Sequence, residues 1–196
     1  MPEFAAQTVY FDKPGKANTA RTLQLAAERA DQLSINTILV ATTFGESGKL
    51  AAQAFQGKNL IAVSHAFGFK GPNTQELTPE NRAAIEAAGG TILTCQHAFG
   101  GVNRAIRKQL DTAAPDDIIA NTLRIFGEGM KVVAEIAMMA ADAGLVQVGN
   151  PVLCIAGTGH GADLAAIVLP VNTFAFFDLK ILEVICRPAL GHPEFN

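Results

Sequence analysis

Short apolar runs alternating with helical stretches constrain this chain most. TILVA at residues 37–41, LIAVS at 60–64, TILTC at 91–95 and VLCIA at 152–156 each read as a strand. TILVA is a continuous run rich in β-branched residues, the mark of a strand covered on both faces. Between the runs, apolar residues recur three and four apart. Leu23, Ala26, Ala27, Ala30 and Leu33 predict a helix over residues 17–33, which Asn18 or Thr19 can cap. Further helices are predicted over residues 47–55, 78–88 and 102–110, the second with Thr78 as cap and Pro79 at its first position. Residues 115–143 hold two more, around Phe126-Gly127-Glu128-Gly129.

Strand, helix, strand in this order implies right-handed crossovers and a parallel sheet. The expected fold class is therefore α/β: three layers, a mostly parallel sheet with helices on both faces. Residues 8–11 add a short strand at the start. LAAIVL at 164–169 and ILEVIC at 181–186 have no helix between them, so a mixed or antiparallel C-terminal edge is expected. With 196 residues and no shift in composition, one domain over residues 1–196 accounts for the chain. Residues 130–143 are apolar almost all round, which predicts burial in the core or in a symmetric homo-oligomer interface.

The balance of charge narrows the partners. Charged residues are only 17% and the net charge is −3, with no basic stripe for a nucleic acid. No apolar run reaches the roughly 18 residues of a membrane span, and the first residues lack the basic start of a signal peptide. Cys95, Cys154 and Cys186 lie far apart, as expected of free thiols in a reducing cytoplasm. A small ligand and a cytoplasmic location are the expectation.

In open parallel sheets, ligands sit beyond the carboxyl ends of the strands. His-Ala-Phe-Gly occurs twice there, at residues 65–68 and 97–100, and Gly157-Thr158-Gly159-His160-Gly161 follows VLCIA. Taken singly, the histidines are turn residues. Together, His65, His97 and His160 fall on one edge of the sheet and are the candidate catalytic groups; His192, beside Pro193, reads as an exposed imidazole. Glu46-Ser47-Gly48-Lys49 opens a helix, so its amides, its dipole and Lys49 suit a phosphate, although a capped helix with a solvated lysine reads the same way. It is not a Walker A loop, which would need Gly at 43 and Ser or Thr at 50, where Thr43 and Leu50 stand. The 157–162 stretch matches G-x-G-x-x-A, but a strand follows where a dinucleotide fold needs a helix. It reads equally as a tight loop or as a ligand-approaching one. Residues 126–131 read equally as a second helix start facing the site or as a hinge. No metal motif and no G-x-S-x-G elbow is present.

Residues 38–64, ILVATTFGESGKLAAQAFQGKNLIAVS, resemble the segment of the pyruvate kinase C-terminal α/β domain that holds an effector phosphate. The matching features are the strand, Thr42, Ser47-Gly48, Lys49, Ala51 and Gln53. Residues 149–171 resemble the end of that domain. Phe44-Gly45-Glu46 are three extra residues in the phosphate loop, and the kinase's catalytic barrel has no counterpart. The whole chain, from Pro14-Gly15-Lys16-Ala17-Asn18-Thr19 onward, resembles the stand-alone pyruvate-kinase-C-domain-like proteins of archaea and bacteria. That resemblance implies flavin mononucleotide (FMN) at the phosphate-loop edge. Ser47, Gly48 and Lys49 would hold the phosphate, and Thr42, Thr43, Gly45, Ser64, Gly157, Thr158, Gly159 and Gly161 would line the rest. Phe44, Phe67 or Phe99 would pack on the isoalloxazine. The implied activity is flavin redox chemistry with one of the three histidines as proton donor. The alternative is a regulatory module that binds a phosphometabolite without catalysis.

Overall fold

In the computed structural model, which describes residue 1 and residues 3–195, the alternating pattern becomes one seven-stranded sheet. The elements follow in chain order: β1 (Val9–Phe11), α1 (Thr19–Gln32), β2 (Thr37–Ala41), α2 (Glu46–Ala54), β3 (Asn59–Ser64), α3 (Pro79–Ala87) and β4 (Thr91–Thr94). Then come α4 (Gly101–Leu110), α5 (Pro115–Arg124), α6 (Glu128–Asp142), β5 (Val152–Ala156), β6 (Leu164–Leu169) and β7 (Lys180–Pro188). The sheet order is β1-β7-β6-β5-β2-β3-β4. Only β6 runs against its neighbours. The expected antiparallel side is present, but its outermost strand is β1, which pairs parallel with β7 from Val9↔Cys186 to Phe11↔Pro188.

Alternation along each central strand distributes side chains to the two faces. Ile38 and Val40 of β2, with Leu153 and Ile155 of β5, pack beneath Leu23, Ala26 and Ala30 of α1, Ala51 of α2 and Ile85 of α3. Leu39, Ile61, Cys154 and Ala166 face the other way, against Met130, Val133, Ile136, Ala137 and Ala140 of α6. α6 is thus a core helix, and its apolar surface is used within the chain. Thr78 caps α3 as its sequence predicts, its hydroxyl accepting from the Asn81 N–H at 3.2 Å. α1 has no side-chain cap. The Asn18 amide donates to Lys13 O in the preceding turn, and the Thr19 hydroxyl donates to Lys16 O while accepting from the Ala162 N–H across the fold, so neither caps the helix. Cys154 and Cys186 are buried, Cys95 is half-buried, and all three are free. No helix among the described residues is long and apolar enough to cross a membrane.

Candidate functional site

The loops after β2, β3, β4 and β5 enclose a cleft of ≈ 410 Å³. It lies where the order reverses: β2 leads outward to β3 and β4, whereas β5 returns on the other side of β2. Such a switch point is where open α/β sheets take their ligands.

At one end the chain turns from β2 into α2 through Gly45, whose φ is 102°. Thr42, Thr43, Phe44, Glu46 and Ser47 line the cleft there. The Gly48 N–H donates to the Thr42 hydroxyl at 3.3 Å, which leaves the Glu46 and Ser47 end of the helix to face the opening. Glu46 accepts from Lys16 at 2.6 Å. That hydrogen bond and the lysine charge hold the Glu46 carboxyl below its ordinary range. His160 stacks on Phe44 with ring centres 5.7 Å apart. The loop carrying His160 is pinned by buried Asp163, one of whose oxygens accepts from Gly15 N–H (2.7 Å) and Thr158 N–H (3.2 Å).

At the other end is an aromatic cluster. Phe69 packs against two histidines, 4.2 Å from the His65 ring and 5.0 Å from His97, and the Arg104 guanidinium lies over its face at 4.4 Å. The two imidazoles are 5.3 Å apart. His65 Nδ1 bonds Glu76 at 2.7 Å, so the carboxylate orients the ring and leaves Nε2 unused by that pair. His97 is held differently. Its Nε2 accepts from the Ala66 N–H at 3.2 Å, which requires that nitrogen to be unprotonated. Its Nδ1 faces Glu135 at 3.8 Å.

Glu135 sits on α6 with 3% of its surface exposed. It accepts from Lys131 and from the Phe99 N–H, the latter at 3.1 Å. Burial pushes the His97 pKa below its ordinary value; Glu135 opposes this, while His65, Lys131 and Arg104 reinforce it. The sign of the stability effect follows. As pH falls through about 6.5, the unfolded chain binds a proton at this histidine before the folded chain does, so stability is lost. His97→Gln keeps an acceptor for the Ala66 N–H and removes the titration. We expect the wild type to lose more urea stability than His97→Gln between about pH 7.5 and about pH 5.5. Equal losses would mean His97 is not held neutral.

The pyruvate kinase alpha/beta domain profile matches residues 20–168. The chain belongs to that family. A pyruvate kinase from Cryptosporidium parvum aligns over 81% of this chain at 16% identity with a TM-score of 0.42, and the chain spans 24% of that enzyme's length.

Within this pyruvate kinase alpha/beta domain, His65, His97 and His160 all line the cleft, as do Thr42, Thr43, Phe44, Ser47, Ser64, Gly157, Gly159 and Gly161. Gly45, Gly48, Lys49, Phe67 and Thr158 do not. Gly48 is small for packing, since a Cβ there would meet Ile85 Cδ1 at 2.7 Å. Lys49 follows it on the helix, off the cleft wall, and the charged residue that lines this end is Glu46, paired with Lys16. Phe67 is exposed and off the cleft wall, whereas Phe69, two residues on, lines the cleft against His65 and His97. Phe99 lines the cleft, its ring packed edge-on to Phe176. His192 stacks on Tyr10, outside the cleft.

Lys131, Glu135, Arg104, Arg107, Arg124 and Asp117 are among the wall residues that sequence reasoning missed. For Glu135 a signal existed: a carboxylate with apolar residues on both sides in VVAEIAMMAADA has no place in a buried helix unless it is paired.

Proposed function

We propose that the chain binds FMN in this cleft, with the phosphate at the start of α2 and the ring system toward the aromatic end. The observation that carries this reading is the two-ended lining. Hydroxyls of Thr42, Thr43 and Ser47 stand with a helix N-terminus at one end, and Phe69, His65, His97 and Phe99 at the other. Its volume falls within the ~300–1,000 Å³ of small-molecule sites. A helix N-terminus favours a phosphate by its dipole and its unpaired amides.

In this reading Ser47 and the first turn of α2 bind the phosphate, and Thr42 and Thr43 offer hydroxyls to the ribityl chain. Val63, Ile136 and Met139 supply apolar wall and exclude water from the ring. When bound, the flavin supplies electron or hydride transfer. His65, oriented by Glu76, is the group placed to hold or move a proton at Nε2. His97 is not, because its Nε2 is committed to the backbone.

Fluorescence titration with FMN and with riboflavin tests the reading. FMN quenches saturably, and riboflavin, which lacks the phosphate, binds at least about tenfold more weakly, the scale of one charge-assisted hydrogen bond. Absence of quenching by FMN removes the flavin. Binding of inorganic phosphate without FMN would favour the non-catalytic phosphometabolite module instead.

A further inference from the structure

Charge pairing along the cleft wall leaves one cation over. Arg107 is paired with Asp117, Arg124 with Glu128, and Lys131 with Glu135. At the α2 end Glu46 is paired with Lys16. Arg104 has no carboxylate partner among the described residues; its guanidinium lies on the Phe69 ring. His65 packs against the same ring, with Nδ1 taken by Glu76.

We infer that Arg104 and His65 form a subsite for a small organic acid, the guanidinium taking the carboxylate and His65 Nε2 a neighbouring hydroxyl or carbonyl. A planar guanidinium presents paired N–H donors that match a carboxylate, and stacking on an aromatic face holds that plane in place. One unmatched positive charge balances one carboxylate. A phosphate dianion would leave surplus negative charge beside Glu76 and Glu135. The subsite lies at the aromatic end, away from the start of α2, so it deepens the cofactor reading. It rests on that reading only in taking this cleft as the working site: a 2-hydroxy or 2-oxo acid would sit beside the flavin ring as the second ligand.

α4 buries none of its residues, so changes at Arg104 leave the core untouched. The four histidines give separate imidazole resonances for a binding experiment. We expect glycolate, titrated with or without FMN, to shift the His65 signals saturably while those of His192 stay fixed. Glycolamide, the neutral isostere, binds at least about tenfold more weakly, and Arg104→Ala weakens glycolate about 10–100-fold. Arg104→Lys keeps the charge but not the fork and falls between. Four results overturn the subsite: glycolate leaves His65 unmoved, glycolamide matches glycolate, inorganic phosphate alone shifts His65, or Arg104→Ala binds glycolate like the wild type. A chain that binds glycolate at His65 but shows no FMN quenching keeps the subsite and loses the flavin. The reverse pattern loses only the subsite.

Discussion

Glu135→Ala lowers the stability of the folded chain by about 3–5 kcal/mol, the cost of removing one partner from a buried ion pair. The carboxylate is 4% exposed and the Lys131 side chain 14%, so the ammonium left behind cannot be fully hydrated without disturbing α6. The Phe99 N–H loses its acceptor as well. Glu135→Gln combined with Lys131→Met separates these effects. It keeps an oxygen for the Phe99 N–H and removes both charges, so most of the loss is recovered. Urea denaturation of the three proteins checks this. If Glu135→Ala costs under about 1 kcal/mol, the pair is solvated and the site is looser than its geometry indicates.

Gly161→Ala is expected to cost about 3 kcal/mol or more, from left-handed backbone strain and close contact together. Its φ is +78°, and a Cβ there would sit 2.5 Å from Lys16 Cα and 2.5 Å from the Thr19 hydroxyl. Neither can yield cheaply. The Thr19 oxygen accepts from Ala162 N–H at 3.0 Å, and the adjoining Gly15 N–H is tied to Asp163 at 2.7 Å. Gly159 supplies the control. It also has a positive φ, +71°, but nothing lies within 4 Å of its added Cβ. Gly159→Ala therefore costs only the backbone term, about 1–2 kcal/mol. Equal midpoints for the two variants in chemical denaturation would show that the contact with residues 15–19 contributes nothing. The pair also separates the two readings of the glycine loop: Gly157 and Gly161 are required by packing, and Gly159 alone faces open space.

Much of the fold was legible because its signals are local. The β-branched run at 37–41 predicts a strand covered on both faces, and its three central residues are buried. No helical periodicity separates residues 169 and 181, and only a short 3-10 helix, Thr173–Asp178, joins the antiparallel strands there. The place of β1 was not legible: three residues carry no register, and their pairing with β7 spans almost the whole chain. The site was half legible for the same reason. His65, His97 and His160 stand within four residues of the strand ends before them, and strand ends share an edge in a parallel sheet. Which residues of a helix start face the opening is not a local signal: Gly48 packs on Ile85, and Lys49 stands off the cleft wall. Arg104, Arg107 and Arg124 reach the cleft from helices whose placement depends on tertiary contacts, and Glu76 reaches His65 from an irregular loop.

α4 carries Arg104 and Arg107 to the cleft without burying a residue of its own, although Val102 and Leu110 are largely exposed on it. A segment with so few buried contacts opens locally at far lower free energy than the sheet beneath it. Its amides should therefore exchange with solvent through fraying of that one helix, independently of global unfolding. The α4 side of the cleft is then less anchored than the α6 side, and an anion bridging Arg104 to His65 would register first as slowed exchange along α4.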